Sequence, residues 1–187
     1  IYFLKKQPSA IPYITSYYSK NWGFCTSYND FKKLDKKAKY HVVIKSKFLK
    51  GKMSYGEILL KGRSDKEILI STNICHPSMG NNETSGIVVT AELASWISRL
   101  NNRRYSYRII FIPETIGSIA YIHKNFKKLK KNEKGGFVVV CVGRKGKISY
   151  LPSKTGNTLS DKAALHVLTK SNKKFKKFSF FDRGSDE

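Results

Sequence analysis

Short apolar runs alternate with longer amphipathic stretches in the second half of the chain. The runs EILIST, YRIIFIP and GGFVVVCVG lack the polar alternation of a half-exposed strand, which is typical of strands covered on both faces. Residues 87–100 and 115–131, which separate them, have the length and apolar spacing of helices. This order predicts an α/β fold with a mainly parallel or mixed sheet and helices on both of its faces.

Two details refine the predicted helices. In the first helix, apolar side chains recur at steps of four, three and four residues and lie on one face: Val89, Leu93, Trp96 and Leu100. A third helix is predicted over residues 158–170. It opens with the capping box TLSD, in which Thr158 is the N-cap and Asp161 follows three residues later.

The N-terminal part of the chain has a different pattern. Residues 40–46 (YHVVIKS) and 55–62 (YGEILLKG) are typical of strands, and the glycine turn signal between them predicts a β-hairpin or small sheet. A chain of 187 residues with 40% hydrophobic content suffices for one sizeable core. We therefore expect a single domain over residues 1–187, with residues 10–64 as a β-rich subdomain. The chain starts without Met and stops without a closing element, so we expect a truncated fragment.

The charge balance is strongly basic. The chain carries 36 Lys and Arg against 13 Asp and Glu, a formal net charge of +23, which raises nucleic acids, anionic membranes and acidic substrates as partners. Only seven of these residues are arginines, whereas phosphate and base recognition favours the bidentate arginine fork. The composition therefore argues against a dedicated nucleic-acid role.

Cysteine usage and hydropathy bear on the compartment. Cys25, Cys75 and Cys141 are widely spaced without a C-x-x-C pair, and Cys141 within an apolar run is expected to be a buried thiol. No apolar run approaches the roughly 18 residues of a membrane-spanning helix, and no signal-peptide pattern opens the chain. We expect a cytoplasmic protein without a membrane span.

Polar side chains follow the predicted strands at the points where they end. His76 and Glu83 come after the first strand, and Glu114 follows the second. The carboxyl ends of parallel strands meet at one edge of a sheet, and a histidine with two carboxylates can form a metal site or a general base there. An alternative stays open, because Asn81, Asn82 and Gly86 also suit a loop that caps the next helix.

The segments CHPSMGNNETSG, RRYSYRIIFIPETIGSIAYI, GGFVVVCVG and GSDE occur in an order that resembles a bacterial aminopeptidase-like domain family of polysaccharide-biosynthesis loci. That family is itself similar to the co-catalytic zinc aminopeptidases. The resemblance extends to IPYITSYYSKNWGFC and GKMSYGEILLKG, and so covers nearly the whole chain. It implies a zinc-aminopeptidase-like fold, two zinc ions, and hydrolysis of peptides or other small amide-containing substrates.

The resemblance also implies roles for particular residues. His76 matches a metal ligand, Glu114 matches the general base, and Asn82 stands where an aspartate bridges the two ions. Asparagine offers a neutral carbonyl oxygen, which neither bridges two cations well nor offsets their charge. The missing charge is carried one residue later by Glu83, which we include with His76 and Asn82 as a candidate metal-binding residue.

Other positions depart from the family pattern. Arg144 stands where relatives carry an acidic residue, and a last histidine ligand is expected beyond Glu187. Thr115 stands where the zinc aminopeptidases have a second metal-binding glutamate, a change that the aminopeptidase-like family shares. Ser185 and Asp186 match a motif that supports the site. The resemblance therefore implies a metallohydrolase that is weak or inactive in this form. Two alternatives stay open: a non-catalytic peptide- or glycan-binding module in polysaccharide biosynthesis, and a basic binder of nucleic acid or anionic surfaces.

Overall fold

A computed structural model describes residues 1–14, 22–45, 47, 49–76, 79–171 and 173–184. The chain divides into two compact units, Ile1–Leu49 and Lys50–Glu187. Ser185 and Asp186, predicted to support the site, lie outside the described residues. None of the helices in these ranges combines the length and apolar composition needed to cross a bilayer.

The second unit is built on a four-stranded mixed sheet in the order β1-β3-β2-β4. Its strands are β1 (Gly56–Leu60), β2 (Ser64–Asn73), β3 (Tyr105–Ile112) and β4 (Glu133–Val138). Strand β2 runs parallel to both β3 and β4, whereas β1 is antiparallel to β3. The predicted α/β class with a mainly parallel or mixed sheet is confirmed.

Helices α2 (Ser85–Ser98) and α3 (Ile116–Asn132) cover opposite faces of this sheet. Ile109 of β3 packs with Ala94 and Ile97 of α2, while Ile110, the next residue of β3, packs with Tyr121 and Leu129 of α3. Successive residues of a strand point to opposite faces, so β3 contributes to two separate cores.

The remaining helices and strands are not part of the central sheet. Helix α1 spans Tyr28–Phe31, and strands β5 (Ile148–Tyr150) and β6 (Phe175–Lys177) form a small parallel sheet. Helix α4 spans Leu159–Lys170, and its predicted capping box is confirmed. The Asp161 backbone N–H donates to Thr158 Oγ1 at 3.3 Å, and the Thr158 backbone N–H donates to Asp161 Oδ2 at 2.9 Å.

An ion-pair network on the α3 side joins the first three strands. Arg108 of β3 is 1% exposed and donates to both carboxylate oxygens of Glu67 on β2, at 2.6 and 2.8 Å. It also pairs with Glu57 on β1, which accepts a hydrogen bond from the Tyr121 hydroxyl. The hydrogen bonds from Arg108 lower the pKa of Glu67 below its usual value. These contacts span β1, β3 and β2, and so help to fix the register that determines where the strands end.

The predicted N-terminal hairpin is wrong. Residues 55–62 do contain a strand, β1, but it pairs with β3 in the central sheet. Residues 40–45 form no strand, and Val42, Val43 and Ile44 are exposed. β-branched residues favour a strand only where a neighbouring strand and a core receive them. The predicted β-rich subdomain over residues 10–64 stays a prediction.

The apolar face predicted for α2 is largely exposed, although its Leu93 packs against the core. Val89 and Trp96 are 44% and 55% exposed, whereas the buried residues are Gly86, Thr90, Ala94 and Ile97. Three of these four buried residues, Gly86, Thr90 and Ala94, have small side chains, which allow the helix to lie close to the sheet. A Cβ atom on Gly86 would lie 2.4 Å from the Val139 carbonyl oxygen. The apolar spacing therefore predicted the helix correctly, but it pointed to the large apolar side chains and not to the residues that are buried.

Candidate metal centre

Strands β2 and β3 end side by side. Asn73 of β2 is in register with Ile112 of β3, and the Ile74 backbone N–H donates to the Ile112 carbonyl oxygen at 3.1 Å. Further along, the Glu114 backbone N–H lies 3.3 Å from Cys75 Sγ, to which it donates. The strand register therefore brings these two residues together at the carboxyl edge of the sheet, where parallel sheets place their ligands.

A π-helical turn over Gly80–Thr84 carries the next acidic residue into the same place. A π turn has a longer hydrogen-bonded ring than an α turn, which alters the side chains that face a given neighbour. Glu83 in this turn is 1% exposed. Its carboxylate accepts the Cys75 backbone N–H at 2.9 Å and lies 3.1 Å from His76 Nδ1.

Four ligand-bearing side chains meet at this edge. One potential donor atom from each of Cys75, His76, Glu83 and Glu114 lies within 4.8 Å of the others. His76 Nδ1 is 3.8 Å from Glu114 Oε2, and Cys75 Sγ is 3.6 Å from Glu83 Oε1. The Glu83 side chain is 2% exposed, whereas those of His76 and Glu114 are 20% and 21% exposed. The cluster is thus enclosed at Glu83 and partly exposed at His76 and Glu114.

The local electrostatics keep the Cys75 thiol neutral in this arrangement. Burial raises the pKa of Cys75 to about 11, and the nearby Glu83 and Glu114 carboxylates add to the increase. Two carboxylates close to a thiol and an imidazole concentrate negative charge in a partly desolvated place. A bound cation would offset that charge.

The backbone beside Glu114 is strained. Thr115 has φ of 59°, in the left-handed region that β-branched residues avoid, and it directly precedes α3. Such conformations persist where surrounding contacts impose them, and they concentrate at functional sites. Here the strained residue fixes the direction in which the chain leaves Glu114.

The chemistry of these donors fits a divalent cation. Thiolate, imidazole and carboxylate are the side-chain ligands of zinc in proteins, and their donor atoms here are close enough to share one ion. The residues do not reproduce the two-ion set implied by the resemblance, because position 82 carries no carboxylate and Arg144 replaces an acid. The site therefore fits one cation.

The structure brings His76, Glu83 and Glu114 together, as expected from the strand ends; their roles as ligands and base stay predictions. The contact seen for Asn82 is with Cys141, because Nδ2 of Asn82 donates to Cys141 Sγ at 3.7 Å. The Asn82 Oδ1 atom is buried without a hydrogen-bond partner among the described residues. Sequence reasoning did not assign Cys75 to the site, although it immediately precedes His76 at the strand end.

The loop after β4 differs from the sequence prediction. Strand β4 ends at Val138, and Cys141 is exposed with φ of 55°, so the prediction of a buried thiol within a strand is wrong. Polar residues near α2 hold the loop instead. The Val142 and Gly143 backbone N–H groups donate to Ser85 Oγ and Asn81 Oδ1, both at 3.0 Å. Asn81 thus helps to hold the loop that follows β4.

Comparisons with known proteins agree with this architecture. Residues 11–187 match the family described as "Domain of unknown function (DUF4910)". A Clostridium acetobutylicum protein named "Putative polysaccharide biosynthesis protein with aminopeptidase-like domain" is 43% identical over 177 residues, which are 95% of this chain and 40% of the relative. A crystal structure of a "putative peptidase" from Clostridium acetobutylicum is 40% identical, with a TM-score of 0.84 over 99% of this chain and 43% of that one.

These matches confirm the predicted resemblance and support a peptidase-like function at the level of the family. The chain spans less than half the length of both relatives. The α/β sheet, the polar strand ends and the match over residues 11–187 lead to one conclusion: this chain belongs to the DUF4910 family.

Proposed function

We propose that this chain is an aminopeptidase-like metallohydrolase domain that binds a divalent cation, zinc in the first instance, at the carboxyl ends of β2 and β3. The observation that carries the proposal is the cluster of four donor side chains within 4.8 Å of one another. His76 and Glu83 are proposed to hold the cation. The substrate class is a peptide or another small amide.

Glu114 is proposed to be the general base. When bound, a divalent cation polarises the scissile carbonyl and makes water acidic enough to lose a proton near neutral pH. The Glu114 carboxylate lies 3.8 Å from His76 Nδ1 and is partly open to solvent, so it can accept that proton and pass it to the leaving amine. Glu83 is too enclosed to contact a substrate, which suits a ligand.

We propose that the activity is weak in the chain as given. A carboxylate at position 82 would add a charged ligand, whereas Asn82 is neutral and donates to Cys141. The thiols of Cys25, Cys75 and Cys141 are all free, which fits a reducing, cytoplasmic compartment, our proposed location.

Hydrolysis of aminoacyl amides and short peptides by the purified chain tests this proposal. We expect chelator to abolish turnover and zinc to restore it. Glu114→Gln should lower kcat/KM by at least about 100-fold while zinc stays bound, because the amide cannot take up a proton. Asn82→Asp should raise turnover. The matched control is Glu92→Gln on the exposed surface of α2, which should change nothing.

Two results would contradict the proposal. Full activity in the presence of chelator would remove the metal from the reaction. Saturable peptide binding without turnover, unchanged by chelator or zinc, would support a non-catalytic binding module instead.

A further inference from the structure

The Cys75 sulfur atom lies close to donor atoms of both proposed ligands, His76 and Glu83. Its Sγ atom is 3.4 Å from His76 Nδ1 and 3.6 Å from Glu83 Oε1, and the remaining edge of this triangle, His76 Nδ1 to Glu83 Oε1, is 3.1 Å. Zinc bond lengths of about 2.0–2.3 Å imply tetrahedral ligand separations of about 3.3 Å for nitrogen and oxygen and about 3.6 Å for pairs with sulfur. The three edges are close to those values.

Glu114 lies slightly outside this triangle. Its Oε2 atom is 3.8 Å from His76 Nδ1 and 3.9 Å from Cys75 Sγ. Catalytic zinc sites commonly use three protein ligands and leave the fourth position to water or substrate. The spacing therefore separates three ligands from one carboxylate, Glu114, which is partly exposed to solvent.

Building on the proposed function, we propose that Cys75 is a thiolate ligand of a single cation, which it holds together with His76 and Glu83. Binding breaks the Cys75 S–H bond, forms a sulfur–metal bond and releases the proton to solvent. One thiolate and one carboxylate match the charge of a divalent cation, so the ligand set needs no carboxylate at position 82. Asn82 is then a neighbouring residue, consistent with its contact to Cys141.

A thiolate in the ligand set determines which metals the site prefers. Sulfur ligands favour zinc and comparable transition ions, whereas magnesium, calcium and manganese favour oxygen ligands. We therefore expect zinc and cobalt to bind this chain and magnesium not to displace them. This selectivity distinguishes the proposed centre from a site made of carboxylates alone.

Cobalt(II) reports directly on the sulfur ligand. The purified chain, stripped with chelator and loaded with one equivalent of cobalt, should show a thiolate-to-cobalt charge-transfer absorption in the near ultraviolet. Cys75→Ser should lose that band and weaken cobalt binding at least about tenfold. Cys75→Asp, which restores an anionic ligand, should recover part of the affinity without the band. Circular dichroism should show both variants folded.

Matched controls use the other two thiols and position 82. Cys25 and Cys141 are exposed, so Cys25→Ser and Cys141→Ser should keep the band, as should Asn82→Ala. Cobalt binding without the band in the wild-type chain would overturn the thiolate assignment and leave the hydrolase proposal intact. Loss of the band in Asn82→Ala or Cys141→Ser, but not in Cys75→Ser, would also overturn it.

The two proposals fail in distinguishable ways. A cobalt band that depends on Cys75 in a chain that hydrolyses no amide would support the thiolate centre and reject the hydrolase. Absence of cobalt and zinc binding to the wild-type chain would reject both.

Discussion

Asp161 at the start of α4 is a buried carboxylate whose hydrogen bonds stabilise its charged form. It is 3% exposed and accepts hydrogen bonds from the Tyr150 hydroxyl at 2.8 Å and from the Ser153 hydroxyl at 2.6 Å. The Thr158 hydroxyl donates to it as well, at 2.7 Å. Burial raises the pKa of Asp161, but the hydrogen bonds from Ser153 and Thr158 outweigh it and hold the pKa well below its usual range.

This arrangement predicts pH-dependent stability. The folded-state pKa of Asp161 lies below its unfolded value of about 3.9, so its contribution is complete above about pH 4 and is lost as the pH falls towards the folded-state pKa. Asp161→Asn should lower the free energy of unfolding at neutral pH by about 3 kcal/mol, since an amide cannot accept all of these bonds. In urea titrations, the difference from wild type should shrink below about pH 4. Exposed Asp65→Asn should show no such trend.

At single residues, the sequence predicted the site only in part. The strand-end rule placed His76, Glu83 and Glu114 together, because the carboxyl ends of parallel strands meet at one edge of the sheet. It did not predict the π-helical turn that brings the Glu83 carboxylate to Cys75 and His76, since such a turn has no clear sequence signal. Cys75 was missed because a lone cysteine has no partner spacing to identify it.

Helix α2 lies close against the sheet at Gly86, next to the candidate centre. A Cβ atom there would lie 2.4 Å from the Val139 carbonyl oxygen and 2.5 Å from Thr72 Oγ1. Thr72 Oγ1 itself donates to the Val139 carbonyl at 2.8 Å, so both atoms have fixed positions. The helix start can therefore approach β2 and the residue after β4 only because position 86 has no side chain.

Gly86→Ala should lower the free energy of unfolding by about 1–3 kcal/mol, because the added methyl group forces the helix away from the strands. Gly80→Ala is a matched control in the preceding π turn, where a Cβ would meet nothing within 4 Å. It should be neutral or stabilise by up to about 1 kcal/mol through helix propensity. Urea denaturation compares the two. Equal stability of Gly86→Ala and wild type would show that the close approach is not required.

Among the elements, the order from β2 to α4 was predictable, because continuous apolar runs mark the strands and amphipathic stretches mark the helices. Strands β5 and β6 have three residues each, too few to show a pattern. Helix α4 was located almost to the residue, since the capping box of Thr158 and Asp161 marks its start. The strand predicted over residues 40–46 was wrong for the described residues 40–45, because local propensity does not reveal whether a partner strand exists. Local sequence likewise did not predict that β1 pairs with β3, because strand pairing depends on tertiary contacts.

For the whole molecule, the net charge of +23 is in the range that nucleic-acid-binding proteins often show. The structure shows where several of the arginines lie. Arg108 is buried with Glu67, and Arg103 donates to backbone carbonyls that include Leu100 at 2.7 Å. Arg104 lies over the Tyr105 ring, and Arg183 lies over the Phe180 ring. These four of the seven arginines therefore have contacts within the fold.

Lysines provide most of the remaining positive charge, and they act as point charges without the geometry that reads bases. We therefore expect any binding of duplex DNA to be independent of sequence and to weaken steeply between about 50 and 200 mM salt, as counterion release requires. Fluorescence anisotropy with two unrelated duplexes should give equal affinities at each salt concentration. Lys127→Glu with Lys130→Glu on α3 should weaken both equally. A preference of tenfold or more for one duplex, or tight binding that persists at physiological salt, would instead indicate a dedicated nucleic-acid site. Base contacts add affinity that does not depend on counterion release, whereas phosphate contacts weaken with salt.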